Sequence, residues 1–498
     1  IIKSQIIENI RSVLYQNNDY RKKFLNKVGH SIYGAKSDKK KEDWIRVSML
    51  GAGRQVGRSC ILLQTNESNI LLDCGINPGI DAGPGSYPLL DAPEFKLSDL
   101  DAVILSHAHM DHCGFIPFLY KMGFRGPVYA TKPTRDISAL SSLDAIGVSF
   151  KQAKKNLFEI QDVKEMVKHT ITLDWEEVTD ITPDIRMTFY NSGHILGSSM
   201  THLNIGNGAH NFLYTADMKY LDTRVLNKAH TKFPRLETLM IESTYGNKES
   251  VLGSREQAEE DLVKIIEDTR KNKGKTLIPV LGVGRAQELL LVLEAAMREG
   301  KIKKMPIYVQ GMVWDITAIH TAYPDFLNKD LRRMIYHKDE NPFLSDVFKK
   351  VGSRKEQEKI MENEEPCIIL ATAGMLNAGA SLEYFKKMAG NARNSLVMVT
   401  YQGQGTLGRR IQDGERKIIF TDEGRASEVE IKMGIHSITD FTGHAGRNEL
   451  MNFVKDLSPR PKKVIVQHGE SSRCLDLASS MHKSYRLETT CPKNLENV

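Results

Sequence analysis

The sequence predicts a layered α/β fold interrupted by a second α/β block, and three observations carry that expectation. From 44 to 241, short strands rich in Ile, Leu and Val alternate with helical stretches, the pattern of an α/β layered architecture. After Gly246 the strand-helix units lengthen and their turns become glycine-rich, as in a doubly wound parallel sheet. The stretch 462–470 then reads as a short buried strand delivering His468, and if that residue joins the earlier candidate ligands, the first domain is completed only after the block, which is an insertion. The domains read 1–43, 44–245, 246–425 and 426–498, the last completing the second.

Taken in order, the first 16 residues place Ile2, Ile6, Ile10 and Val13 on one helical face, and 36–43 form a charged breaker before Trp44. Residues 1–43 therefore read as a basic linker carrying a docking helix. Strands are expected at 44–50, 60–64, 69–72, 102–105, 185–190 and 212–216, with helices at 113–122 and 156–168. In the insertion, helices at 255–271 and 285–298 alternate with strands at 276–280, 306–309, 367–371 and 396–400.

Ser106-His107-Ala108-His109-Met110-Asp111-His112 follows the apolar run 102–105 and concentrates three imidazoles and a carboxylate. Neutral imidazole suits zinc, carboxylate oxygen can bridge, and a catalytic site keeps a position open for water. A structural zinc site would pair cysteines, but Cys113 has no partner at that spacing. A helical metalloprotease would space its histidines i, i+4 around a Glu; alternating His107 and His109 fit an extended segment instead. Further candidates sit at strand ends: Asp73 after 69–72, His194 in Asn191-Ser192-Gly193-His194, and Asp217 after 212–216. Taken singly, each is an ordinary turn or loop residue. Glu242, at the head of Glu242-Ser243-Thr244-Tyr245-Gly246, and His444, in Gly443-His444-Ala445-Gly446, alone would read as a solvated carboxylate and a helix-capping loop histidine.

The spacing of the first cluster resembles the signature of the metallo-β-lactamase fold, and Glu242, His444 and His468 resemble the motifs of its nucleic-acid-processing β-CASP subgroup. Within that subgroup, Gly51-Ala52-Gly53-Arg54-Gln55-Val56-Gly57-Arg58, Leu72-Asp73-Cys74-Gly75 and the Ser-His-Ala-His form are most similar to the archaeal cleavage and polyadenylation specificity factor nucleases. The resemblance spans about 45–498 and implies an αββα sandwich with an inserted β-CASP domain. It implies two Zn2+ ions, one on His107, His109 and His194, the other on Asp111, His112 and His468, with Asp217 bridging and Asp73 behind them. It also implies His444 as general acid, oriented by Glu242, with Asp111 in the catalytic set. Manganese or iron would also suit such donors. The activity implied is endonucleolytic cleavage of single-stranded RNA in 3′-end processing or transcription termination, with 5′-3′ exonuclease action in some relatives. A KH-type module preceding the chain and a homodimer formed through a C-terminal surface are implied only by analogy.

Bulk properties bound these expectations. The 498 residues are 41% hydrophobic and 26% charged, with no bilayer-length apolar run or signal peptide, and six scattered cysteines indicate a reduced, cytoplasmic setting. Ile1 in place of Met suggests a trimmed chain. The net charge is +6, of which residues 1–44 carry +5 (10 Lys/Arg against 5 Asp/Glu), offering salt-dependent phosphate attraction or a solvated linker. In the insertion, Leu281-Gly282-Val283-Gly284-Arg285 opens a helix where amides favour an anion, although tight βα packing explains the glycines equally well. With the loops at 371–375 and 403–410, it predicts an RNA-backbone edge using Gly282, Gly284, Arg285, Arg409 and Arg410. The rivals are a small-molecule hydrolase of the same fold, against which the insertion and late histidines argue, and a non-catalytic RNA-processing scaffold, against which the intact ligands argue.

Overall fold

The computed structural model describes residues 4–34, 44–77, 83, 85–151, 155–400, 402–403, 405–422 and 425–498. The expected breaker at 36–43 lies outside them, as do Ile2 and Gln404. Two compact units result: Ser4–Asp222, Leu226–Val251 and His444–Val498 form a sandwich unit, and Thr223–Val225 with Leu252–Gly443 form an inserted unit.

The sandwich unit opens with β1 (Arg46–Met49), β2 (Ile61–Gln64), β3 (Asn69–Leu72), β4 (Ala102–Ile104), β5 (Val128–Ala130) and β6 (Thr170–Thr172). It continues with β7 (Val178–Asp180), β8 (Ile185–Asn191), β9 (Ser199–Ile205), β10 (His210–Tyr214) and β11 (Thr238–Glu242). The inserted unit holds β12 (Thr276–Pro279), β13 (Ile307–Gln310), β14 (Phe348–Val351), β15 (Ile368–Ala371), β16 (Ser395–Met398), β17 (Lys417–Asp422), β18 (Arg425–Glu430) and β19 (Gly434–Ser437). The chain then returns to the sandwich with β20 (Lys463–Gln467) and β21 (Glu488–Thr490).

The sandwich has two sheets, ordered β1-β2-β3-β4-β5-β6 and β21-β20-β11-β10-β9-β8-β7. Strands β3 to β6 run parallel, as do β10, β11, β20 and β21, so each sheet has one face-covered parallel half. Period-two alternation decides which side chains meet between the sheets: Met187 and Phe189 of β8, and Leu203 and Ile205 of β9, pack against Ile61, Leu63, Ile70 and Leu72. On the outer face of the second sheet, Leu239, Ile241, Val464 and Val466 pack against the helices Arg447–Asp456 and Ser471–Tyr485. The last residues close the free edge of β1, with Val498 N donating to Val47 O at 2.9 Å and Val47 N to Val498 O at 3.0 Å.

Several expected elements need correction. Residues 5–33 are two helices, Gln5–Gln16 and Asn18–Tyr33, rather than a linker with one helix. Phe24, Val28 and Ile32 recur every four residues and are buried, and the Tyr20 hydroxyl lies 2.9 Å from His169 Nε2. The helix expected at 113–122 is split into Met110–Cys113 and Ile116–Lys121, with Pro117 in the first turn of the second. The one expected at 156–168 begins at Ile160, where Asp162 accepts from Glu159 N at 2.8 Å and caps the turn. The helix Lys132–Lys151 has no counterpart in the expected elements.

In the inserted unit the parallel order is β14-β13-β15-β12-β16-β19, with β17 and β18 as a separate antiparallel hairpin. Alternate residues of β12 and β15 go to opposite sides: Ile278 and Leu370 join one core with Leu289 and Leu293, while Leu277 and Ile369 join another with Tyr384 and Phe385. Both faces are therefore covered by helices, as a doubly wound sheet requires. Contacts of the inserted unit run past the expected boundary at 425. The hairpin straddles it, and β19 still pairs with β16, so the unit extends to Gly443.

Candidate metal centre

Asp73 follows β3, His107 and His109 follow β4, His194 follows β8, Asp217 follows β10, Glu242 ends β11 and His468 follows β20. The pairings make β3 and β4 run the same way in one sheet and β8, β10, β11 and β20 in the other, and the convergence of their terminal His and Asp side chains puts these residues at one edge of the sandwich. Asp111 and His112 are added by the single turn Met110–Cys113. Three positions at these strand ends are strained: Asp73 (φ 60°), Ala216 (φ 48°) and His468 (φ 50°) all adopt left-handed backbone, at about 1–2 kcal/mol each. Backbone bonds hold them, with Asp73 N donating to Ile104 O and His468 N to Ala52 O, each at 2.9 Å. Gly75 lets its loop lie against the turn, since a Cβ there would sit 1.8 Å from Asp111 O.

Among the described residues three donor groups form, one of them Asp217, Glu242 and His444, and the other two hold the expected ligands. His107, His109, His194 and Asp217 offer ligand atoms within 4.8 Å of one another, and so do Asp111, His112, Asp217 and His468. Asp217 belongs to both and turns one oxygen to each. Its Oδ2 lies 3.5 Å from His107 Nε2 and 3.6 Å from His194 Nε2, while its Oδ1 lies 3.3 Å from His112 Nε2 and 3.2 Å from His468 Nδ1. Asp111 Oδ2 is 3.4 Å from His468 Nε2. Asp73, fully buried, sits 2.7 Å from His112 Nδ1 and leaves Nε2 of that ring facing the centre.

These residues fit divalent cations. His107 Nε2, His109 Nε2 and Asp217 Oδ1 are buried without a hydrogen-bond partner, an arrangement too costly to leave unfilled. Burial, helped by His107, pushes His109 down to about 3; burial and His444 push His194 well below its ordinary value. Burial and then His112 lower His107. Burial opposes ionisation of Asp217 and Asp111, but His112 and His468 hold both carboxyls low. Burial would likewise lower His112, yet Asp217, Asp111 and Asp73 raise it well above the usual imidazole range, so a cation there displaces a proton. Three neutral imidazoles and two ionised carboxylates are the donors a metal requires.

Beside them, Glu242 is fully buried and its two oxygens lie 3.1 Å from His444 Nδ1. Met218 N donates to Glu242 Oε1 at 2.8 Å and Thr244 N to Oε2 at 3.3 Å, which fixes the carboxylate plane. His444 Nε2 is 3.9 Å from Asp217 Oδ2. An imidazole held at one nitrogen and facing the metal ligands with the other can carry a proton to or from a reacting oxygen.

In the inserted unit, the loops after β12, β15 and β16 do share one edge: Arg285 donates to Val399 O at 3.1 Å and Gln402 Nε2 to Gly374 O at 3.0 Å. The glycines there have packing reasons. A Cβ at Gly282 would meet Met312 Cε at 2.7 Å, and Gly284 (φ 85°) gives its N–H to the Gln287 side chain at 2.8 Å. Arg409 faces Asp413 at 3.0 Å and Arg410 faces Glu415 at 2.6 Å.

Three side chains about the centre were not singled out in the sequence, and a fourth, Ser106, enters it only as part of the Ser-His-Ala-His form. Ser106 Oγ and the Tyr214 hydroxyl donate to Asp73 Oδ2 at 2.7 and 2.8 Å. Lys219 and Glu449 pair at 2.6 Å behind His444. Tyr214 was detectable as an inward polar position on β10, and Glu449 as an acid three residues into a helix opened by Gly446. Lys219 carries no such signal.

Three family models match: a Metallo-beta-lactamase superfamily domain over 62–244, a Beta-Casp domain over 286–411 and a Zn-dependent metallo-hydrolase RNA specificity domain over 428–492. The chain is 51% identical over its whole length to a protein of Methanothermobacter thermautotrophicus named transcription termination factor FttA, of which it spans 78%. It is 48% identical to proteins of that name from Thermococcus kodakarensis and from Lokiarchaeum, spanning 77% and 78% of them. A crystal structure of a protein of unknown function from Enterococcus faecalis shares the fold, with a TM-score of 0.55, 13% identity, and coverage of 91% of this chain and 99% of that one.

Proposed function

The chain belongs to the archaeal cleavage and polyadenylation specificity factor-type β-CASP branch of the metallo-β-lactamase superfamily, and on that premise we propose that it is a zinc-dependent ribonuclease. Its substrate is single-stranded RNA, cut mainly within the chain, in 3′-end processing or transcription termination. The observation that carries the reading is Asp217, which turns one oxygen to each of two His/Asp groups beside a histidine already held by a carboxylate.

Two zinc ions, one on His107, His109, His194 and Asp217 and one on Asp111, His112, His468 and Asp217, would bring the pKa of water toward about 7 and neutralise phosphate charge. Asp73 holds His112 by its Nδ1 side and so orients the opposite nitrogen. Glu242 fixes His444 by Nδ1, so that Nε2 delivers a proton to the leaving oxygen. A small-molecule hydrolase has no need of that second histidine-carboxylate pair. The termination-factor names of the relatives support the biological role, and the RNA-specificity match supports the substrate class.

End-labelled RNA tests the reading. Internal products should appear, cease on chelation and return with added zinc; cleavage that survives complete metal removal, or none at any metal concentration, contradicts it. A mononucleotide ladder from the 5′ end would assign exonuclease action instead. Among the described residues no helix is long and apolar enough to cross a membrane.

A further inference from the structure

We propose that the buried Lys219–Glu449 ion pair is the positioning element that holds His444 at the reacting bond. Lys219 stands two residues beyond Asp217, and its side chain is 2% exposed. Its Nζ donates to His444 O at 3.0 Å and to Glu449 Oε1 at 2.6 Å. Glu449 in turn accepts from Tyr220 N at 3.0 Å and from Gly446 N at 3.3 Å, and Ala445 N donates to Met218 O at 2.7 Å. The loop that carries Asp217 is thereby sewn to the loop that carries His444.

His444 thus has two tethers. Glu242 holds its imidazole, and Lys219 holds its main chain. Burying an ammonium is expensive, and an apolar side chain of similar volume would pack the same gap at no loss of stability. Packing alone therefore leaves the charge unexplained. What the charge supplies is a directed bond to one carbonyl, that of His444, anchored to the first turn of the helix Arg447–Asp456. An error of about 1 Å in the placement of a proton donor costs about 10²-fold in rate.

This inference rests on His444 as the proton donor to the leaving oxygen. Two substrates separate the ideas: RNA, whose alkoxide leaves only with a proton, and bis(p-nitrophenyl) phosphate, whose p-nitrophenolate leaves without one. Lys219→Met alone strands Glu449, so the decisive variant is K219M/E449M, which removes the pair without leaving a buried charge. It should keep its metal content and melting temperature, lose about 10²-fold in kcat on RNA with KM little changed, and hydrolyse the aryl ester within about twofold of wild type. His444→Ala should show the same split. If K219M/E449M loses both substrates in parallel, loses neither, or fails to fold, the pair only supports the fold and the proposal is overturned. If H444A itself shows no split, the proton-donor reading falls, and the positioning role with it.

Discussion

At the carboxyl ends of β3, β4, β10, β11 and β20, donor atoms converge that the protein itself does not satisfy; at the carboxyl ends of β12, β15 and β16, the expected contacts are committed to the protein. His107 Nε2, His109 Nε2 and Asp217 Oδ1 are buried at that edge without a hydrogen-bond partner. In the inserted unit, Arg409 and Arg410 face carboxylates, Arg285 donates to a carbonyl, and Gly282 and Gly284 serve packing and a turn. Both edges carry Gly-rich loops after parallel strands. What separates a metal centre from a well-made βα turn is a convergent set of unsatisfied imidazole and carboxylate atoms, not the loop pattern, since a lone orphan such as Gln402 Oε1 occurs at the second edge too.

The contrast can be broken at its strongest point first. Asp217→Asn removes the one charge shared by both donor groups, so RNA cleavage should fall to background with loss of bound metal, measured by mass spectrometry of the native protein; a fully loaded, active D217N would refute the shared role. Asp73→Ala should weaken metal affinity about 10- to 100-fold by freeing the His112 ring, and a competition titration with a chelating dye checks it. Tyr214→Phe, which removes one of the donors to Asp73, should do the same to a smaller degree.

In the inserted unit, His320 is buried, its Nδ1 donates to Ile316 O at 2.8 Å, its Nε2 has no hydrogen-bond partner, and burial lowers it to about 4 from 6.5. It is neutral in the folded unit, while the unfolded chain takes up the proton as pH falls below about 6.5. Stability is therefore complete above that value, falls by roughly 3 kcal/mol as pH drops to about 4, and changes no further from this group below it. In denaturant melts across this window, the stability of wild type relative to His320→Leu should fall by roughly 3 kcal/mol from pH about 6.5 to about 4, and a difference that stays flat would show that the ring is not the source. The smallest effect belongs to R409A/R410A: with both guanidiniums already paired, RNA affinity should change by less than about threefold and the salt slope by less than about 1 per arginine. A drop in slope of about 2 would show that phosphate displaces Asp413 and Glu415 and would restore this edge as an RNA contact.

The strand-end His and Asp residues were legible because metal chemistry restricts residue type, and because a chain that folds β-layered places strand termini together; His107, Asp217 and His468, 361 positions apart at the extremes, needed only that. The helices Arg255–Lys271 and Arg285–Arg298 were legible for a different reason, being long, periodic and marked by Ser254 and Gly284 at their starts. The helix Lys132–Lys151 was not, because Ser, Gly and Asp interrupt its apolar stripe. Neither was Lys219, since a buried lysine is specified by its partner on a distant helix and by nothing beside it in sequence. The contacts of the inserted unit running past 425 to Gly443 were not legible, because β19 is short and half-exposed, a strand fixed by pairing with β16 rather than by its own composition.

The most direct test of the central claim is metal stoichiometry of D111A/H112A measured together with its cleavage of end-labelled RNA. Two donor groups sharing Asp217 predict that wild type binds two ions per chain, and that the variant binds one through His107, His109, His194 and Asp217, remains folded, and does not cut RNA. Undiminished cleavage by a variant holding a single ion would contradict the two-group centre.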